Sequence, residues 1–358
     1  MGDDDSIMSR LFNTKALLGI VVGAGASYGI YKLVASGVKS DANNVKKSKN
    51  DNGTRESGPE MEASSGARVV LQPGTLLAKV SGLNLLHRSE CRAANIPSRD
   101  IFSQSPGNLQ PHHIEMLLSL LETNPNPSDR IQVLVTLGNA AAFSVNQDII
   151  RELGGLHKIA SLLSDPTPDT RVHCLNALNN LSMNVRNQEQ LKVYVPQLLE
   201  LIEMSPVNSD LQLASLRLLT NMSVTNNHQD LMKNSITLFL SLLVVSNEEM
   251  QIQVLKVLVN LSANPDMMED IVQAQAPASL VLLFDSCTNA PVLLRLLTFV
   301  GNMRTWTPSA QVAEVLRRSK DSLYCVLLAP LSQLHHRLPL LLSHPDGQVK
   351  SQAARLLA

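Results

Sequence analysis

Apolar residues recur at intervals of three and four along the C-terminal two thirds of the chain, the period of an amphipathic helix. Between residues 149 and 163 they are Ile149, Ile150, Leu153, Leu156, Ile159, Leu162 and Leu163. Gly154-Gly155 interrupts the run and predicts a tight turn between two helices. Asp165-Pro166 and Pro168 then stop the second helix and start a third. Leu175, Leu178 and Leu181 supply a buried stripe on that third helix, with Asn180 off the stripe.

This three-helix unit repeats. The strings TLGNAAAFSVNQ, ALNNLSMNVRNQ, LLTNMSVTNNHQ, LVNLSANPDMM and FVGNMRTWTP align on Asn139, Asn180, Asn221, Asn260 and Asn302, at intervals of 41, 41, 39 and 42 residues. In the first three a glutamine follows eight positions after the asparagine: Gln147, Gln188 and Gln229. A sixth, degenerate unit is read in LLSHPDGQVKSQAARLL, which echoes LLSDPTPDTRVHCLNAL at 162–178. The pattern predicts an all-α fold, an α-solenoid of five to six repeats over residues 109–358.

The front of the chain has a different pattern. Residues 16–31 (ALLGIVVGAGASYGIY) carry no charge, and apolar character resumes after Lys32 as far as Val38. Sixteen helical residues reach only about 24 Å, short of the roughly 30 Å hydrocarbon core. With Lys32 snorkelling, 16–38 spans about 34 Å, enough to cross. Gly19/Gly23 and Gly25/Gly29 form two small-xxx-small pairs, which mark either a helix–helix contact or simply the glycine common in spanning helices. Lys39, Lys46, Lys47 and Lys49 follow, opposed only by Asp41, whereas Asp3, Asp4 and Asp5 offset Arg10 and Lys15 upstream. The positive-inside bias therefore predicts an N-terminal tip at 1–15, a transmembrane signal anchor at 16–38 and a C-terminal part in the cytosol.

Three other readings of the segment exist. Ala24-Gly25-Ala26 matches a signal-peptide cleavage site, which would deliver a lumenal protein. Met1-Gly2 with Ser6 matches an N-myristoyl signal, and a buried core helix is the third. A short, moderately apolar anchor with basic flanks favours the outer mitochondrial membrane over the thicker plasma membrane. Residues 39–108 read as a mostly disordered linker. The part to Gly66 is rich in Ser, Asn, Gly and Lys, and 69–86 is broken by Pro73-Gly74 and Gly82.

Composition adds two constraints. Hydrophobic residues make up 44% of the 358 and aromatics only 3%, which suits a leucine-rich helical core. A net charge of −1 argues against whole-protein electrostatic affinity for nucleic acid. Cys91, Cys174, Cys287 and Cys325 are too scattered for a disulfide framework or a CxxC metal site, and are read as small buried hydrophobes in a reducing compartment.

No HExxH or GxxxxGK[ST] string occurs. The adjacent pairs His112-His113 and His335-His336 point about 100° apart on a helix, so they are expected at surfaces or caps rather than on a metal. Asn-x-Ser/Thr occurs at Asn180, Asn221 and Asn260, but as part of the third-helix string rather than as a glycosylation signal. The expected protein is not an enzyme and takes no cofactor or metal.

A unit of this length, with IRELGGLHKIASLLSD and ALNNLS inside it, resembles the armadillo repeat over residues 109–358. In armadillo proteins the third-helix asparagine binds the main chain of an extended ligand. The resemblance implies that role for Asn139, Asn180, Asn221, Asn260 and Asn302 on a concave groove. The alternative is that each asparagine caps carbonyls near the end of a third helix. One turn earlier stand Val135, Asn176, Arg217, Lys256 and Thr298, without the tryptophan that peptide-import receptors place there. Arg217 and Lys256 make a small basic patch suited to an acidic segment. Trp306 is expected in the core rather than in the groove.

The anchor string GAGASYGIYKL, the linker, and LGNAAAFSVNQDIIRELGG together resemble the armadillo X-linked (Alex) group of outer mitochondrial membrane proteins. That resemblance implies a cytosol-facing scaffold, Miro GTPases and Trak kinesin adaptors as partners, and effects on mitochondrial transport, distribution or dynamics. The rival expectations are a soluble or nuclear armadillo adaptor in transcriptional or cell-growth control, an endoplasmic reticulum membrane protein, and the lumenal protein above.

Overall fold

The computed structural model describes Gly107 and residues 109–330 and 332–358, without the side chain of Arg317. The tip at 1–15, the anchor at 16–38 with Gly19, Gly23, Gly25, Gly29 and Lys32, and nearly all of the linker at 39–108 lie outside the described residues. Among the described residues, no helix is long and apolar enough to cross a membrane.

The described chain is helical from end to end. In order come α1 (Pro111–Thr123), α2 (Pro127–Ala140), α3 (Ser144–Glu152), α4 (Gly155–Ala160), α5 (Pro168–Leu181), α6 (Val185–Leu191), α7 (Val195–Met204) and α8 (Asp210–Met222). They are followed by α9 (Asn226–Gln229), α10 (Ile236–Val245), α11 (Glu248–Ser262), α12 (Met268–Gln273), α13 (Ala290–Arg304), α14 (Ala310–Arg318), α15 (Leu334–Arg337) and α16 (Gly347–Leu357). Short 3₁₀ turns extend several of them, and the only β feature among the described residues is a single bridge between Gln275 and Ser322.

Six of these helices are third helices, and they stack in sequence order: α2 on α5, α5 on α8, α8 on α11, α11 on α13 and α13 on α16. The sixth unit predicted from the C-terminal echo is therefore present, with α16 as its third helix. Leu175, Leu178 and Leu181 are fully buried, and one continuous core runs from Leu109 to Leu356. No unit closes a core alone; each buries its apolar face against its neighbours.

Local chemistry sets the boundaries. Proline opens α1, α2, α5 and α13, where its missing N–H is not needed. Asn126, Asn184 and Asn247 cap the helices that follow them, each side-chain oxygen accepting from a first-turn N–H. The predicted Gly-Gly turn separates α3 from α4. Gly154 there has φ 68°, in the left-handed region. Gly155 is needed for a different reason: a Cβ would lie 2.8 Å from the Ile150 carbonyl oxygen and from Leu118 Cδ1.

The fifth unit departs from the pattern. Its second helix is reduced to a 3₁₀ segment, Ala278–Leu283, after Pro277. The sixth unit holds the chain there: the Ala276 N–H donates to the Asp321 carbonyl at 2.9 Å, and the Leu323 N–H donates to Ala274 at 2.8 Å.

The cysteine expectation holds for one residue and needs correction for another. Cys174 is fully buried, donates to the Ile159 carbonyl at 3.0 Å, and burial pushes its thiol far up. Cys287 is exposed, because it sits in the loop before α13 rather than on a helix stripe, and Cys325 is half-buried. Cys91 lies outside the described residues.

Candidate functional site: the third-helix face

Each third helix ends close to its asparagine, so stacking places the five asparagines in a row. Asn221 and Asn260 are buried, and Asn139, Asn180 and Asn302 are half-buried. The row is knitted by hydrogen bonds running from each unit back to the previous one. Asn180 Nδ2 donates to the Gly138 carbonyl at 2.9 Å. Asn221 Nδ2 donates to the Asn179 carbonyl at 3.0 Å and to Ser182 Oγ at 3.0 Å. Asn260 Nδ2 donates to Ser223 Oγ at 2.9 Å, and Asn302 Nδ2 to Ser262 Oγ at 3.0 Å.

Each of those serines in turn donates to a carbonyl of its own helix: Ser182 to Asn179, Ser223 to Thr220, Ser262 to Val259. The Asn-x-Ser string thus has a physical reason. Its serine accepts from the asparagine of the next unit, and all three serines are buried. The first interface lacks the serine, Ala141 standing in its place, and there Asn180 bonds a carbonyl directly.

A carbonyl acceptor fixes which amide atom faces back, since the oxygen of a reversed amide would meet another oxygen. The inter-unit bonds therefore use the donor side of the ladder. For Asn180, Asn221, Asn260 and Asn302 no partner for Oδ1 is found among the described residues, yet none of these oxygens is sealed from solvent. The face consequently offers a row of hydrogen-bond acceptors. Asn139, with no earlier third helix among the described residues, is the one ladder amide for which those residues show no such bond.

The recurring glutamine lies behind the row. Gln147, Gln188 and Gln229 are buried, and each Nε2 donates to the end of the preceding third helix, at Ala141, Ser182 and Ser223, over 2.7 to 2.8 Å. Gln147 and Gln229 also reach the ladder backbone of the following third helix, at Asn180 and Asn260. Gln188 and Gln229 also accept from the next unit, through Thr225 Oγ1 and Asn264 Nδ2. One position earlier Asn146, Asn187 and His228 bond the carbonyls of Ala140, Leu181 and Met222. The sequence showed the glutamine period but not its use, and the Asn/Asn/His series was missed because its residue type changes.

One turn before the ladder asparagines stand the other predicted face residues. Val135, Asn176, Arg217, Lys256 and Thr298 are all half-buried. Trp306 is half-buried and packs against the core, as expected. Arg217 Nη2 pairs with Glu249 Oε1 across the α8–α11 interface at 2.8 Å. Lys256 meets no carboxylate among the described residues; its Nζ bonds Gln253 Oε1 at 3.3 Å. Burial, then Arg295 and then Arg217, push its pKa down to about 8.

Arg295 is a third cation that the sequence reading missed. It lies seven residues before Asn302, two turns back on the same stripe rather than one. Its Nη1 donates to the Pro291 carbonyl at 2.7 Å, and its buried Nε has no partner among the described residues. Among those residues no group of three or more His, Cys, Asp or Glu is placed to hold a metal ion. His113 accepts from the Gln110 N–H in the cap of α1, and His335 bonds Ser332 Oγ.

A stack of three-helix units joined through third-helix asparagines can be compared directly with known proteins. Residues 109–328 match the family described as armadillo-like. The chain belongs to that family. Among solved structures, the armadillo array is similar to a designed armadillo repeat protein in complex with the peptide (KR)4, with a TM-score of 0.57 at 17% identity. That match covers 68% of this chain and 98% of the designed one. A computationally designed armadillo repeat protein for modular peptide recognition matches with the same TM-score, identity and coverage. At such identities the likeness establishes the armadillo fold.

Proposed function

We propose that this armadillo chain is a non-enzymatic scaffold, anchored by residues 16–38 in the outer mitochondrial membrane with its array in the cytosol. Its role is to recruit proteins that act on mitochondrial transport, distribution or dynamics. The observation that carries the binding part is the third-helix face, where outward acceptors of Asn180, Asn221, Asn260 and Asn302 lie beside unpaired positive charge. Such a face suits an extended acidic segment: ladder oxygens accept from its N–H groups, and the cations meet its carboxylates. The designed relative above is in complex with a basic peptide, whereas on this reading the present chain takes a segment of the opposite charge.

Support for the membrane and organelle part is the sequence of the anchor and its lysine flank, together with the Alex-group resemblance. Within that group the chain resembles armadillo repeat-containing protein 10, and Miro GTPases and Trak kinesin adaptors are the partners this resemblance proposes.

Two measurements test the two parts. Carbonate extraction with external protease on intact mitochondria should leave the protein in the membrane and remove the array; an array fully protected from protease sinks the topology. The double change Arg217→Glu with Lys256→Glu should abolish capture of an acidic partner while the array stays folded by circular dichroism. Unchanged capture would place binding on another surface.

A further inference from the structure

Resting on the reading of this face as a binding groove, we infer that Arg217, Lys256 and Arg295 form a site for a phosphoserine or phosphothreonine carried in an extended segment of a partner protein. The three cations come from consecutive third helices, α8, α11 and α13, with Lys256 in the middle. All three lie on the ladder stripe, four or seven residues before Asn221, Asn260 and Asn302.

Charge decides the class of ligand. Around Lys256 the charged groups are Arg217 from α8, Arg295 from α13 and, on its own helix, Glu249, which is already bonded to Arg217. Among the described residues, two positive charges therefore lack a counter-charge within one partly buried cluster. A single carboxylate matches one of them. A phosphate ester, dianionic above its second pKa near 6, supplies both charges and three acceptor oxygens at one point. Guanidinium and ammonium donors are the groups that hold such an oxyanion, and the Arg295 Nε is a buried donor with nothing to bond among the described residues. Burial, then repulsion from Arg295 and Arg217, lowers the Lys256 pKa to about 8 in the unliganded face; a dianion raises it, so binding draws a proton onto Lys256 as pH reaches and passes 8.

The test uses the full chain in detergent micelles and three fluorescein-labelled peptides, Gly-Ala-Asp-X-Asp-Ala-Gly with X as phosphoserine, serine or glutamate, read by fluorescence anisotropy. The phosphoserine peptide should bind roughly tenfold or more tighter than the serine peptide, the scale of one charge-assisted hydrogen bond, with glutamate between. Lys256→Met and Arg295→Gln should each remove most of that phosphate increment, measured as the ratio of phosphoserine to serine affinity, beyond any weakening of the acidic serine peptide itself. In the unaltered chain the increment should shrink between pH 7 and 9, and in Lys256→Met that slope should vanish. If the phosphoserine and serine peptides bind alike, the dianion site is wrong and the groove reading stands. Absence of binding by all three peptides overturns both.

Discussion

Lys256 is held in the native array with its pKa near 8, while an unfolded chain would hold it near 10.5. The charged form is thus penalised on folding by at most on the order of 3 kcal/mol, and the penalty is complete wherever the residue is protonated in both states. Between about pH 8 and 10.5 the unfolded chain binds more protons, so stability rises with pH across that window as the penalty is relieved. Lys256→Met keeps an unbranched side chain one atom shorter and removes the charge. The variant should melt several degrees higher than the natural chain at pH 7, with the advantage fading as pH climbs past 8. An equal or lower melting temperature at pH 7 would show that the lysine is not strained by its neighbours. Retaining a residue that costs stability is the pattern expected where a cation serves binding rather than folding. Arg217 differs: it is shielded by Glu249 and half exposed, so its pair contributes little to stability.

Within the repeating elements, two kinds of residue hold the helices in place, and the sequence shows them unequally. Gly154 and Gly155 announce their turn because no other residue pair breaks an apolar run that way. The structure separates their duties. Gly155→Ala would drive a methyl into the Ile150 carbonyl, which cannot move aside, and should cost about 1–3 kcal/mol by overpacking. Gly154→Ala meets no atom within 4 Å and should cost only the left-handed backbone penalty of about 1–2 kcal/mol. Comparing the two melting temperatures tests that division of roles. The glutamines were visible only as a period, since spacing cannot say which carbonyl a side chain reaches. Gln188→Ala leaves the Ser182 carbonyl without its side-chain donor and Thr225 without its acceptor, so a loss of about 1–3 kcal/mol is expected. A loss under about 0.5 kcal/mol, within the range of an ordinary surface change, would reduce the glutamine to packing. Arg295 escaped notice for a similar reason. Its offset from Asn302 is two turns, and only the stacking of α11 on α13 brings it beside Lys256. Helix existence, unit length and the buried leucines were therefore legible; which side chains meet across units was not, because that depends on contacts about forty residues apart.

At the scale of the whole array, stability is the sum of unit terms and nearest-neighbour interfaces, so a weak unit need not be terminal. The fifth unit is such a place. Its second helix is the 3₁₀ segment Ala278–Leu283, whose i to i+3 bonds are poorer than α-helical ones. The corresponding helix of the fourth unit, Ile236–Val245, is a full α-helix with Phe239, Leu240 and Leu243 completely buried. Across both units the third helices α11 and α13 stack tightly, so the array should stay joined while the second-helix layer opens locally. Hydrogen exchange at neutral pH should show amides of Ala278–Leu283 exchanging well before those of Ile236–Val245. The Ala276 and Leu323 amides should exchange together with that segment, since their bonds tie the fifth unit to the sixth. Equal protection in the two units would mean that the sixth unit supplies the rigidity the shortened helix lacks. Slow exchange of α13 in either case keeps Arg295 fixed beside Lys256, which a binding face spanning the third, fourth and fifth units requires.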